Sequence, residues 1–346
     1  MIDKRKFDNL LSHCSLKGTI MRFPRRQFLH LAAGAAVLSN FSRDAEAQGY
    51  PTRPITLIVP FAAGGIYSAV GRAVAERMKD LLGQSTIIEN VGGADGNIGV
   101  GRAAHARPDG HTIVLGSMST HVLNGAFYSL QYDVLNDFAP IAAVATTPFV
   151  LVAKKSMPGR DLNELIVWMK ANPNKASAAV PTGSVHLVTA FFQKETGTRF
   201  THIPYRGGAQ LAVDLVAGHI DLSFRGLDLL PLVRAGSLKA YAVTSDTRTA
   251  LAPDIPTFGE MGLPALSFST WFGLFAPKGT PSDIISKLNA AVIEALADPV
   301  VRSQLVDLGL DIFQRDRQTP EVLGALVGAD AGKWWPVIKE LGIKAE

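Results

Sequence analysis

The apolar run Ile55-Thr-Leu-Ile-Val59 leads through Pro60-Phe-Ala-Ala-Gly-Gly65 into Tyr67–Met78, where Val70, Val74 and Met78 recur every fourth residue. The first piece reads as a buried strand and the last as a helix with one apolar face. A strand joined to a helix by a tight glycine turn must lay that apolar face back on the strand. A chain that repeats the unit is committed to sheets covered by helices.

The unit does repeat. Ser85-Thr-Ile-Ile88 and Thr112-Ile-Val-Leu115 read as further strands, with the glycine-rich Gly92-Gly-Ala-Asp-Gly-Asn97 and a short helix over Ile98–Ala106 between them. Pro108-Asp-Gly110 has the chemistry of a turn. Further on, Ala178-Ala-Val-Pro-Thr-Gly-Ser184 precedes a helix over Val185–Glu195, and Thr201-His-Ile-Pro-Tyr-Arg-Gly-Gly208 precedes another over Ala209–Ala217. Asp161 and Glu164 have the spacing of a helix start over Leu162–Ala171. Strands follow over Ile220–Phe224 and Leu238–Thr244, and the chain after Pro277 reads as helical. The expectation is an α/β protein with mostly parallel sheets and helices on both faces.

At 346 residues the chain has the length of about two domains. Ile141–Ala153 is long, nearly uncharged and holds Pro148, so it reads as a crossover. Trp271-Phe-Gly-Leu-Phe-Ala-Pro277 reads as the return. One domain is expected over 48–148 with 270–346, the other over 149–269.

The first 47 residues read differently. Arg25-Arg26 is followed by Phe28-Leu29, a short apolar run over Leu31–Leu38, and the small-x-small site Ala45-Glu-Ala47. This is the pattern of a twin-arginine export leader, with Met21 as an alternative start and 1–20 then untranslated. The apolar run is far short of the roughly 20 residues of a membrane span. The formal charge of +4 sits in that leader: without its basic and acidic residues, 26 of each sign remain. A balanced chain gives no footprint for nucleic acid or an acidic membrane. The single cysteine, Cys14, also lies in the leader, so no disulfide or thiol chemistry is expected after cleavage. The expected location is the periplasm.

Val59-Pro and Val180-Pro each end a strand and lead into glycine and a helix start, in different expected domains. Taken singly each is an ordinary strand–helix turn. As a pair across a cleft, two helix starts would offer free N–H groups and partial positive charge to one small anion. A nucleotide phosphate is the first rival. However, Gly64-Gly65 lacks the G-x-G-x-x-G spacing, no G-x-x-x-x-G-K-[ST] occurs, and Gly92–Gly96 opens no strong helix with a ribose-binding acid downstream. A serine hydrolase built on Ser184 and His186 is the alternative function. It lacks a G-x-S-x-G elbow, and residues two apart on a helix point different ways. The eight histidines form no H-x-x-x-H or H-E-x-x-H pair, so neither a metal nor a cofactor is expected. Arg225, at the end of an apolar strand, suits either a two-pronged bond to a ligand carboxylate or an ion pair with Asp228. Phe61, Trp271 and Phe272 suit core packing or an apolar chamber wall.

These residues, taken in order, resemble the Bug-type (TctC-like) extracytoplasmic solute receptors of tripartite tricarboxylate transporters. The resemblance rests on Tyr50-Pro-Thr-Arg-Pro-Ile55, Val59-Pro-Phe-Ala-Ala-Gly-Gly65, Glu89-Asn90, Gly96-Asn-Ile-Gly99 and Arg107-Pro-Asp-Gly110. It continues through His202-Ile-Pro-Tyr-Arg-Gly-Gly208, Asp214-Leu-Val-Ala-Gly218, Pro256-Thr-Phe-Gly-Glu260 and Trp271–Pro277. It implies a two-domain periplasmic-binding-protein fold of the second type, hinged around a cleft. It also implies a carboxylate held between the first strand–helix loop and the loop Thr182-Gly-Ser184. The expected ligand residues are Phe61, Ala63, Gly64, Gly65, Tyr67, Ser68, Ser117, Thr120, Thr182, Gly183, Ser184, His186, Arg225 and Asp228. Expected partners are a small carboxylate and either transporter membrane subunits or a sensor domain, with the receptor itself a monomer. In one place the chain departs from the family. The first loop usually runs G-G-x-x-D, and here it is Gly64-Gly-Ile-Tyr-Ser68. The missing acid implies a chamber wall without that negative charge, and so a ligand without an ammonium group: a dicarboxylate or an aromatic carboxylate.

Overall fold

The computed structural model describes residues 49–180, 183–205 and 208–343. The expected leader over 1–47 and the candidate Thr182 lie outside them. From Tyr50 the chain is one contact unit containing two sheets.

The first half of sheet one is built as the periodicity requires. Strand β1 (Ile55–Val59) runs into helix α1 (Ile66–Leu82), then β2 (Thr86–Asn90), α2 (Asn97–Ala104) and β3 (Thr112–Ser117). β2 and β3 flank β1, both parallel to it. Ile55, Leu57, Ile58 and Val59 are fully buried; Val70, Val74 and Met78 of α1 close over Ile55, Leu57 and Val59, while Ile58 packs on the opposite face. Each such side chain contributes about 1.5–3 kcal/mol. Helix α1 ends where Gly83, at φ +69°, turns its N–H back to the Lys79 carbonyl at 3.0 Å; only glycine takes that conformation without strain.

The chain then passes through a π-helical turn (Ser119–Leu123) and the short helix α3 (Asn124–Phe127) into the long strand β4 (Phe138–Pro148). After Phe149 alone it enters β5 (Val150–Lys154) of the other sheet. Sheet two is completed by α4 (Leu162–Ala171), β6 (Ser177–Val180), α5 (Ser184–Thr196), β7 (Thr201–Pro204), α6 (Gly208–Ala217), β8 (Leu222–Arg225), α7 (Leu230–Arg234) and β9 (Leu238–Val243). The chain returns along β10 (Ser269–Pro277). It finishes with α8 (Ser282–Ala297), α9 (Pro299–Asp307), β11 (Asp311–Ile312) and α10 (Pro320–Leu341). The Asp161 carboxylate accepts the Glu164 N–H at 2.9 Å, as a helix-starting pair should. Glu164 in turn reaches the N–H of Arg160, one residue before the cap.

The strand orders are β11-β4-β10-β3-β1-β2 and β7-β6-β8-β5-β9. The two-sheet α/β architecture is the expected one, but the sheets are mixed rather than mostly parallel. β10 is antiparallel to both β3 and β4, β11 is antiparallel to β4, and β5 is antiparallel to β8 and β9. The cause is the crossing itself. β4 carries the chain out of sheet one and β10 brings it back beside β4, so the two neighbours run in opposite directions. Only the strand–helix–strand units keep parallel pairs, because a strand followed by a covering helix must re-enter the sheet from the same end.

Candidate functional site

The first loop opens helix α1 with no cap. Gly65 is the N-cap, no side chain bonds the first-turn N–H groups, and no acid lies in the first turn. Gly64, at φ +91°, and Gly65 are both exposed. This helix terminus presents donors and partial positive charge to the outside.

Tyr67 stands one residue inside that helix. Its ring packs on Phe61 with centroids 4.1 Å apart and edge-on to Phe272 at 5.1 Å. Its hydroxyl lies 2.7 Å from Ser117 Oγ at the end of β3. Burial, with the nearby Asp95 carboxylate adding to it, pushes the phenol well above its ordinary value, so Tyr67 remains protonated and able to donate.

Beneath Tyr67 runs a chain of polar groups. The Ser117 N–H donates to Thr120 Oγ1 at 3.0 Å, and the Thr120 hydroxyl donates to the Ser117 carbonyl at 3.3 Å. With that proton used, Thr120 Oγ1 accepts from His121 Nδ1 at 3.0 Å, which places the ring proton on Nδ1. His121 is fully buried and stacked on Phe275 at 4.0 Å. Burial alone lowers its pKa to about 3, so the ring is neutral. It fits because Gly116 lies beneath it: a Cβ there would stand 2.4 Å from Nδ1.

Ser68 is only 1% exposed, and its Oγ accepts from Asn90 Nδ2 at 2.7 Å. The same Nδ2 reaches the Phe61 carbonyl at 2.9 Å. Asn90, at the end of β2, thus ties the first loop down through Ser68.

The glycine-rich loop supplies the acid that position 68 lacks. Asp95 is half-buried, its Oδ2 shielded from solvent. Its charge acts on Tyr67, Tyr128 and Tyr132, in each case after burial, which is the larger cause. Position 68 carries no acid, and the nearby carboxylate that acts on Tyr67 stands on a different loop. The loop is braced by Asn124, whose Nδ2 donates to the Asp95 carbonyl at 2.9 Å and to Asn97 Oδ1 at 2.6 Å. Gly96 closes it against Thr120 and Phe61, where a Cβ would stand 3.0 Å from Thr120 Cγ2 and 3.3 Å from Phe61 Cζ.

Sheet two meets this cluster at the start of α5. Gly183, at φ +74°, is packed so closely that a Cβ would lie 2.8 Å from Ser119 Oγ and 3.7 Å from Asp95 Oδ2. The Ser184 N–H donates to Ser119 Oγ at 3.2 Å, and the Ser119 hydroxyl donates to Ser184 Oγ, also at 3.2 Å. Both helix starts were expected to offer free N–H groups to one anion. They differ: the one at Ser184 is bonded by a serine from the other sheet. Ser184 is paired with a serine rather than a histidine, and His186 makes ring contacts with Phe127 at 6.3 Å and His202 at 5.9 Å.

Of the expected residues, Phe61, Tyr67, Ser117, Thr120, Gly183 and Ser184 fall in one cluster, with Ala63, Gly64 and Gly65 on the exposed loop above. Ser68 belongs to the support of that loop. Arg225 pairs with Asp228 at 2.6 Å. The sequence reading passed over Asp95, Ser119, Asn90, His121 and Asn124. Asp95 and Asn90 stand in quoted motifs, but only tertiary contacts single them out.

Residues 70–343 match the family model described as tripartite tricarboxylate transporter family receptor. Several solved structures are similar. MatC from Rhodopseudomonas palustris, with bound malate, is 35% identical with a TM-score of 0.77 over 84% of this chain and 100% of its own. A second R. palustris protein, Rpa4515 with adipate, is 33% identical with a TM-score of 0.78 over 85% of this chain and 99% of its own. The periplasmic binding protein BugD is 33% identical with a TM-score of 0.78 over 86% of this chain and 100% of its own.

Proposed function

The chain belongs to the tripartite tricarboxylate transporter receptor family, and from that premise we propose that it captures a small carboxylate, dicarboxylate or aromatic, in the cleft between its two sheets. The observation that carries this reading is the start of α1. Its exposed, uncapped N–H groups at Gly65, with no acid in the first turn, sit beside the Tyr67–Ser117 pair. A carboxylate there exchanges water for oriented backbone donors and the helix field. Tyr67 and Phe61 supply an apolar face and a hydroxyl. The likeness to MatC with malate and Rpa4515 with adipate supports the same class of ligand.

In this reading the lobes are 48–148 with 270–346 and 149–269, hinged where β4 and β10 pass between the sheets. The protein works in the periplasm, as its likeness to BugD suggests, after loss of a twin-arginine leader. It acts as a monomer and hands its ligand to transporter membrane subunits or to a sensor domain. It performs no catalysis, and its closed form is the surface the partner reads. Isothermal titration of the purified protein with mono-, di- and aromatic carboxylates tests the reading. Saturable 1:1 binding of at least one of them, with the acid recovered intact, is expected. No heat across all three classes, or turnover of the acid, overturns it.

A further inference from the structure

We propose that helices α5 and α10 form a brace that holds the two lobes closed. Phe191 and Lys194 of α5 dock on Trp334 and Glu340 of α10, and the strength of that contact sets how readily the cleft opens. None of these four residues belongs to the carboxylate site. The inference rests on the hinged two-lobe reading above and adds to it the elements that balance open against closed.

The first observation is where α5 lies. It belongs to the lobe of sheet two, yet the other lobe touches it at both ends. Its start is bonded to Ser119. Near its end the Phe191 ring meets Trp334 edge-on, with centroids 5.8 Å apart, and Lys194 Nζ pairs with Glu340 Oε2 at 2.8 Å. Ser184, Phe191 and Lys194 are spaced seven and three residues apart, so they share a helix face. One side of α5 therefore runs along the other lobe, and the arrangement described here is a closed one.

The second is how firmly Trp334 is seated. It is only 3% exposed. Its ring packs edge-on against Phe268 at 5.0 Å, and Phe268 stacks on Phe149 at 5.6 Å. Phe149 lies between β4 and β5 and Phe268 just before β10, so these two rings mark the crossings between the lobes. The Asp330 carboxylate accepts the Trp271 Nε1–H of β10 at 2.7 Å and bonds the Trp334 side chain as well. The neighbouring Trp335 donates to the Val122 carbonyl at 3.0 Å. Trp334 is thus fixed to the crossings and to sheet one, while Phe191 moves with sheet two. Opening about the crossings draws Phe191 off Trp334 and Lys194 off Glu340.

The third is the size of the contact. Phe191 is half-buried, and the Lys194 and Glu340 side chains are 36% and 62% exposed. An edge-on aromatic pair biases an equilibrium about threefold or more, and an exposed ion pair about twofold. A bias of that size favours closure without locking it, so a ligand that prefers one form can still shift the balance. Affinity is then tuned from outside the cleft.

Distances between pairs of spin labels, read by pulsed paramagnetic resonance, report the balance without any ligand. The only cysteine is removed by Cys14→Ser. Labels then go on exposed residues of the two lobes in two pairs, Ile98→Cys with Val213→Cys and Val300→Cys with Val167→Cys. That background is compared with Phe191→Ala, with Lys194→Glu, and with Lys194→Glu and Glu340→Lys together, and thermal melts confirm the fold. Phe191→Ala is expected to raise the ratio of long to short distances about threefold or more. Lys194→Glu should raise it about twofold, and the charge exchange should return it to the starting ratio, a rescue that a merely structural role would not give. Distributions that Phe191→Ala leaves unchanged in both label pairs overturn the brace, as does a Lys194→Glu variant that shifts nothing or a shift that the exchange does not reverse. The carboxylate reading is judged separately, by calorimetry, so its failure is told apart from failure of the brace.

Discussion

Ser119 and Ser184 join the two sheets through a reciprocal pair of hydrogen bonds: the Ser184 N–H donates to Ser119 Oγ and the Ser119 hydroxyl donates to Ser184 Oγ, each at 3.2 Å. Both residues are buried. Ser119 thereby satisfies a first-turn donor of α5 that the helix cannot satisfy itself.

Replacing Ser119 with alanine leaves that buried N–H unmatched. Ser119→Ala is expected to lower stability by about 1–2 kcal/mol. Urea unfolding followed by circular dichroism reads this directly. An unchanged midpoint would mean that water enters the seam and takes the place of the hydroxyl.

Tyr67→Phe isolates one hydroxyl. The ring keeps its contacts with Phe61 and Phe272, while the hydroxyl's 2.7 Å bond to Ser117 and its interaction with Ser119 are lost. Carboxylate affinity is expected to fall about tenfold while the unfolding midpoint moves little, since one hydrogen bond is worth about 1 kcal/mol. Titration calorimetry checks it, and binding at wild-type strength would remove Tyr67 from the site.

Gly116→Ala tests the seat of His121. The added methyl would stand 2.4 Å from His121 Nδ1 and 2.7 Å from Phe275 Cε2, contacts that rigid, buried rings cannot relieve. A loss of about 1–3 kcal/mol or more is expected from overpacking, with a changed near-ultraviolet spectrum as the aromatic stack moves. A spectrum and midpoint like the wild type's would show that the stack can shift at no cost.

His121 also shapes the acid limb of stability. Its pKa in the fold is lowered by burial to about 3, against about 6.5 in the unfolded chain. Between those values the unfolded state binds a proton that the folded state does not, so this residue's contribution makes stability rise with pH across that window and fall on acidification. Below about pH 6.5 the loss is about 1.4 kcal/mol per pH unit, levelling near pH 3. His121→Phe keeps the stack and removes the titration. The difference in unfolding free energy between variant and wild type is therefore expected to shift in favour of the variant as pH falls from 7 to 4.5. A difference constant with pH would show that the folded state protonates His121 readily.

Much of the fold is legible in the chain because it is local. The spacing of Val70, Val74 and Met78 gives the buried face of α1, and Asp161 with Glu164 gives the start of α4. The apolar stretches around Pro148 and Trp271 mark where the chain passes between the sheets. Strand direction is less legible. An apolar run has the same pattern whichever way it is laid, so the antiparallel seating of β10 between β3 and β4 leaves no periodic trace.

The sequence by itself determined the alternation of strands and helices, the glycine turn at Gly64-Gly65, and its counterpart before Ser184, since these follow from periodicity and from backbone conformations that few residues adopt. Tertiary structure alone decided that the two helix starts differ. Ser119 and Ser184 are 65 positions apart, and Asp95 reaches Gly183 only because the two sheets fold against each other. Hydrogen bonds and fixed charges act over a few ångströms, so the chemistry of a cleft belongs to residues that only folding makes neighbours. That is why the acid missing at Ser68 could be read from the chain, while the one supplied by Asp95 could not.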